Sequence, residues 1–222
     1  MTTGSGAGTR ALALAGIIAL GTSLGACNAV GTRGEGAVTS ETRNTDAFSR
    51  IESGGGVHVS VAIGPASALK VQAQGNILPL IITEVVDGTL RIRSSKVFTT
   101  SERVDVTLTT PQLDRILLSG GSHGDVNGLA TDMFDVELSG GSVLTANGTA
   151  TTMSLGISGG SVGQLEGLTA TTISVSLSGG SRVDVRATQL VNGSASGGSR
   201  VSVAGGASTT VKTTDGSQVQ QH

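Results

Sequence analysis

The chain has 222 residues, with 14 Lys and Arg against 16 Asp and Glu, three Phe, and neither Tyr nor Trp. Nucleic-acid binding is disfavoured by this composition, because phosphate contacts need a concentrated basic surface and base stacking needs aromatic platforms. A core without aromatics must be thin and filled by Val, Leu, Ile, Ala and Thr, and the single cysteine, Cys27, leaves no partner for an internal disulfide.

Residues 1–26 read as an export signal. Arg10 supplies the positive end, and the apolar run from Ala11 to Leu24 is too short for a comfortable transmembrane span. Leu24-Gly25-Ala26-Cys27 resembles a bacterial lipobox, in which the cysteine thiol is acylated and the preceding bond is cut. Cys27 is therefore the predicted lipid attachment site and the first residue of the mature chain, and the membrane is a predicted partner through that anchor. An ordinary secretory signal that contains a cysteine is the competing reading. Removing residues 1–26 leaves 13 basic against 16 acidic residues, a formal charge of −3, with no cluster of either sign. Asn28, rather than Asp, follows the cysteine, which favours the outer membrane or cell surface over the inner membrane. Residues 27–45 are rich in Gly, Thr and Ser without a hydrophobic period, the composition of a flexible tether.

From residue 46 to 118 strand-like alternation is present but irregular. Val57-His58-Val59-Ser60-Val61, Leu90-Arg91-Ile92 and Val104-Asp105-Val106-Thr107-Leu108 alternate, and Ser53-Gly54-Gly55-Gly56 looks like an early copy of a motif that recurs later. This part is expected to form either the first coils of a solenoid or a cap over its N-terminal end, where unpaired strand edges need covering.

Residues 119–222 are regular. Ser-Gly-Gly-Ser starts at Ser119, Ser139, Ser158, Ser178 and Ser196, in steps of 20, 19, 20 and 18 residues, and a degenerate copy begins at Thr214. A period of that length marks a repeat architecture. Before each of the first, second, third and fourth motifs two alternate positions are apolar: Ile116 and Leu118, Val136 and Leu138, Leu155 and Ile157, Val175 and Leu177. These pairs are expected to point into one core. A second alternation follows each motif and ends at turns such as Asn127-Gly128 or Asn147-Gly148, and a third short segment leads into the next strand. Three extended pieces per 18–20 residues predict an all-β fold, a single-stranded parallel β-helix with right-handed winding favoured, each strand pairing with its equivalent about 4.8 Å away. Gly120, Gly121, Gly140, Gly141, Gly159, Gly160, Gly179, Gly180, Gly197 and Gly198 are the predicted corners, because left-handed dihedrals are cheap only for Gly. The flanking Ser residues should stack, with a hydroxyl ladder as the expected result. Gly pairs and β-branched runs at this spacing exclude a helical reading.

With those residues in place, the chain resembles the bacterial family of putative auto-transporter adhesins with a head GIN domain. The resemblance covers about Ala47 to Gln218. It rests on Phe48 to Ile51, on Gly75-Asn76-Ile77, on the block from Thr83 to Ile92 that contains Asp87-Gly88-Thr89-Leu90, on Thr110-Pro111-Gln112-Leu113, and on the serial Leu-Ser-Gly-Gly-Ser corners. It implies an all-β solenoid in a cell-envelope protein, with no catalytic residues established.

Candidate sites are few. His123 lies near Asp125, where a metal or acid–base pair is conceivable, but sibling corners lack both residues and an exposed polar turn is the favoured reading. A calcium-binding reading of Gly120 to Asp125 fails because that mechanism needs stacked copies. Asp105, Asp114, Asp125, Asp135, Glu137 and Asp184 could meet on one face as a polysaccharide lyase or glycosidase would require. Asp135 and Glu137, however, have Ser154 and Gly156, then Ser174 and Ser176, as counterparts in later coils, which reads as a solvated face. No cofactor and no catalytic residue is expected. The favoured function is a non-enzymatic, lipid-anchored envelope protein that displays a Ser/Thr surface to glycan or to another envelope protein; a structural periplasm-facing lipoprotein and a polysaccharide-active enzyme are the alternatives. Oligomeric state is left open.

Overall fold

A computed structural model describes residues 1–2 and 31–222. The predicted signal peptide and Cys27 lie outside the described residues. From residue 31 onward the chain is almost entirely extended. β1 (Thr32–Arg33) and β2 (Val38–Arg43) precede β3 (Arg50–Ser53), β4 (His58–Ile63) and β5 (Ala68–Gln74). A short 3-10 turn at Leu78–Leu80 leads to β6 (Ile81–Val86), β7 (Thr89–Ser94), β8 (Phe98–Thr99), β9 (Asp105–Thr110) and β10 (Arg115–Leu118). Four long strands then each follow most of a coil: β11 (His123–Leu138), β12 (Val143–Ile157), β13 (Val162–Leu177) and β14 (Arg182–Ala195). β15 (Arg200–Ala204), β16 (Ser208–Thr213) and β17 (Gln218–Gln221) complete the stack.

The regular part is the expected β-solenoid. β10 through β15 and β17 pair in parallel, each residue against its counterpart one coil away, as in Ile116↔Val136↔Leu155↔Val175. Predicted core pairs from Ile116 and Leu118 through Val175 and Leu177 are all buried. The unequal motif spacings are absorbed within the long strands, away from the Gly-Gly corners. Between β11 and β12 the register slips across Val126/Leu129, between β12 and β13 across Thr145/Gly148, and between β13 and β14 across Leu165/Thr169 and Ala170/Thr172. Bulges can take up extra residues because an unpaired residue is cheap where the strand bends; the Gly-Gly corners keep one length.

The N-terminal part is not a run of successive coils. β3 and β4 form a rung on which β10 and β11 stack, but the chain then runs outward and returns, so that β9 and β7 lie on the other side of β4 and β3. β5 pairs antiparallel with β9, β2 antiparallel with β5, and β6 closes a hairpin with β7. These antiparallel strands cover the end of the solenoid, as an end with unpaired edges requires. The hairpin turns on Asp87-Gly88, both at positive φ (50° and 71°), the residue pair a tight type I′ turn favours.

The predicted tether of residues 27–45 is corrected where it is described. Val38–Arg43 is a strand in six-residue register with β5, from Val38↔Gln74 to Arg43↔Leu69. Its side chains are exposed apart from half-buried Arg43, so as an edge strand it needs no hydrophobic period, and the Gly- and Thr-rich composition concealed it. Arg43 fastens it by donating to the Ile81 carbonyl at 2.7 Å and to Thr83 Oγ1 at 3.1 Å. Asn76 holds the chain before it, donating to the Arg33 carbonyl and accepting from the Glu35 amide.

The early motif copy is offset by one residue from its sequence alignment. Gly54-Gly55-Gly56 lies against Ser119-Gly120-Gly121, and Ser53 pairs with Leu118 at an inward position that later coils fill with Leu138, Ile157 and Leu177. Ser53 is 1% exposed and its hydroxyl has no partner. A buried hydroxyl left unpaired costs free energy, so Ser53→Ala is expected to raise stability by about 1 kcal/mol. Urea denaturation measures this; a loss of stability would mean that the hydroxyl is satisfied in solution.

Candidate functional site

The solenoid presents three outward surfaces separated by corners. At each Gly-Gly corner the first glycine has φ between 61° and 66° and the second between 73° and 78°. A Cβ on the first would stand 3.0–3.2 Å from the amide nitrogen of the glycine below, whereas the second faces open space. Corners are linked between coils by backbone bonds such as Gly141 N–H to Gly159 O and Gly160 N–H to Gly179 O, both 3.0 Å. The second Ser of each motif (Ser122, Ser142, Ser161, Ser181, Ser199) is buried. In place of a continuous hydroxyl ladder, Ser122, Ser142, Ser181 and Ser199 each donate to the carbonyl of the first Ser of their own corner, at 2.7–2.9 Å. In these four the hydroxyl closes its own turn, while Ser161 Oγ and Ser217 Oγ each accept from a backbone amide of the neighbouring coil, Ser142 N–H at 3.2 Å and Ser199 N–H at 3.0 Å. These corners are folding devices, with no phosphate-cradle geometry that differs from coil to coil.

The surface after the corner carries the densest ionisable group. His58 Nδ1 lies 2.9 Å from Asp105 Oδ1 and its Nε2 lies 2.6 Å from Asp125 Oδ2. The imidazole is thus clamped between carboxylates contributed by β9 and β11, the strands on either side of β4. Its side chain is 18% exposed, and Arg103 further neutralises Asp105 at 2.9 Å. His123 sits edge-on to His58, ring centres 6.4 Å apart. His123 and Asp125, close in sequence, are therefore not the pair that forms: Asp125 turns to His58, which stacks beside His123 in the parallel register. Sequence alignment on Ser53 hid this, whereas alignment on Gly55-Gly56 would have placed His58 and His123 at the same offset. His222 bonds Glu166 at 3.1 Å. Among the described residues no group of three His, Cys, Asp or Glu side chains is placed to hold a metal ion.

The six carboxylates do not converge. Asp105, Asp125 and Asp184 lie on this surface, and Asp184 is bound by Arg182, whose guanidinium that hydrogen bond and charge push above its usual range. Asp114 accepts from Gln112 at 2.7 Å. Asp135 and Glu137 point out from the strand before the corner, as predicted, and Arg115 takes both, at 3.4 and 2.5 Å. Arg115 is the residue that sequence reasoning missed here, because its register against Asp135 becomes evident only when β10 stacks on β11.

Beyond Asp135 and Glu137 the same surface becomes a shallow trough of about 420 Å³ lined by Ser139, Ser154, Ser158, Ser174, Ser176 and Ser178. Among the described residues these six hydroxyls enter no side-chain hydrogen bond, so they are free to meet a ligand or water. The remaining surface is a groove of about 700 Å³ whose floor includes Thr131, Thr149, Thr151, Thr169, Thr171 and Thr188. Neither recess contains an aromatic side chain.

Solved structures share the fold. A "putative adhesin" from Bacteroides fragilis NCTC 9343 superposes with a TM-score of 0.69 at 20% identity, covering 86% of this chain and 100% of that one. A "putative adhesin" from Parabacteroides merdae ATCC 43184 gives 0.55 at 13% identity, over 86% and 98%. A "putative lipid binding protein" from Parabacteroides distasonis ATCC 8503 gives 0.55 at 12%, again over 86% and 98%. No curated protein matches the sequence. Residues 47–207 match the family described as "Putative auto-transporter adhesin, head GIN domain", which takes in the hairpin turn at Asp87-Gly88, the Asn76 clasp and all five Gly-Gly corners, and the chain belongs to that family.

Proposed function

We propose that the protein is a non-enzymatic, lipid-anchored adhesin of the cell envelope that binds a hydroxyl-rich ligand, glycan or another envelope protein, along its serine trough. The observation that carries this reading is the set of six uncommitted Ser hydroxyls at coil spacing beside an Arg115–Asp135–Glu137 cluster. Stacked strands space such donors and acceptors about 4.8 Å apart on a rigid backbone, so little ordering entropy opposes binding. Against a glycosidase reading stands the arrangement of both trough carboxylates side by side on one strand and around one arginine, rather than facing each other across a cleft. The adhesin descriptions of the family and of the fold's neighbours support the same class.

Two measurements test it. On a glycan panel, the triple variant Ser154→Ala/Ser174→Ala/Ser176→Ala is expected to lose retention roughly tenfold, the effect of removing a few net hydrogen bonds. Release of cleaved sugar by the wild-type chain, lost on Glu137→Gln, would overturn the non-enzymatic reading. Cys27→Ser is expected to release the protein from membranes, and unchanged retention would remove the anchor.

A further inference from the structure

Val97 is 68% exposed, more than any other large hydrophobic side chain from residue 31 to 222, and nothing in the solenoid uses it. It also lies where the described domain begins. Thr32 N–H donates to the Val97 carbonyl at 2.9 Å, β1 pairs with β8 as Thr32↔Phe98, and a Cβ built on Gly31 would stand 3.0 Å from that carbonyl. Exposed Lys96 precedes Val97 and exposed Arg33 lies on the paired strand; among the described residues neither enters an ion pair. Glu35 and Glu102 sit on the adjoining loops, and Arg103 is engaged by Asp105.

From Cys27 to Gly31 the chain can reach at most about 15 Å, four Cα–Cα steps. A domain tied to acyl chains by so short a leash must hold this corner near the bilayer surface. We propose that the β1–β8 corner is the face that this protein sets against a lipid bilayer, with Val97 entering the boundary between headgroups and acyl chains and Lys96 and Arg33 at the phosphates. The inference rests on acylation of Cys27. One valine and two cations do not anchor a protein, so the lipid supplies retention and the corner supplies orientation. Gln74 of β5 accepts from Thr100 just after β8, which fixes the corner to the cap end of the stack. β9 and β4 separate β5 from the regular coils, so the serine trough is carried several rungs away from the membrane.

Acylation consumes the thiol of Cys27, so a cysteine introduced elsewhere is the single labelling position in the mature lipoprotein. Val97→Cys and Thr210→Cys, both at solvent-facing positions, are labelled with an environment-sensitive fluorophore and reconstituted in phosphatidylcholine–phosphatidylglycerol vesicles that carry nitroxide lipids. Quenching is expected to be several-fold stronger at position 97 than at position 210. Equal quenching in a chain shown by mass spectrometry to be acylated would overturn the orientation and leave the anchor standing. An unmodified Cys27 thiol in the native membrane fraction would remove both.

Discussion

Phe134→Ala is expected to cost about 3–5 kcal/mol, the range for deleting a fully buried aromatic side chain. Phe134 is fully buried and heads an inward column with Met153, Ile173 and Val191, one residue per coil. In so narrow a bore the neighbours are held by their own backbone hydrogen bonds and cannot collapse into the space. Since each coil is stabilised chiefly by those next to it, the loss at one rung weakens the coupling of the cap to the coils beyond. Urea denaturation followed by far-ultraviolet circular dichroism measures it, with exposed Met133→Ala as the control, expected to change stability by less than about 0.5 kcal/mol. A cost below about 1 kcal/mol for Phe134→Ala would show that the bore closes around the gap.

The second large effect is expected at Gly193. This residue occupies the inward position that Val136, Leu155 and Val175 fill in preceding coils, and the repeat pattern alone would recommend Val there. The backbone forbids it. Gly193 has φ of 131°, and a Cβ would lie 1.9 Å from the Val175 carbonyl oxygen, a backbone atom held in the ladder. Gly193→Ala is therefore expected to destabilise by about 3 kcal/mol, combining dihedral strain with displacement of a paired strand. Gly141→Ala, at a corner facing open space, carries only the left-handed dihedral penalty of about 1–2 kcal/mol. Comparing the midpoints of the two variants separates close approach from conformational preference. Equal costs would mean that the strand at Gly193 relaxes to the geometry of its siblings.

The corners show how far local sequence reaches. Asp215 occupies the place of the first corner glycine in the degenerate copy, with φ of 52°, so the left-handed turn is the requirement and glycine is its cheapest solution. That requirement is local and recurs every coil, which made the scaffold legible from Ser119 onward. His58 is the contrary case. Its two carboxylate partners come from residues 47 and 67 positions away, and Asp105 reaches it only because β9 doubles back beneath β4. No periodicity in the chain encodes that reversal.

Sequence by itself determined the coil, its two-residue inward alternation and its Gly-Gly corners, because each depends on residues within one repeat and recurs from coil to coil, and it pointed to the family through short blocks such as Thr83 to Ile92 together with those corners. Tertiary structure alone decided the order of the N-terminal rungs, the strand hidden at Val38–Arg43, the burial of the orphaned Ser53 hydroxyl and the pairing of Asp135 and Glu137 with Arg115. Those features depend on which strand stacks on which, a choice made by edge pairing and end covering over long sequence separations, where hydrogen-bond geometry and burial outweigh local pattern.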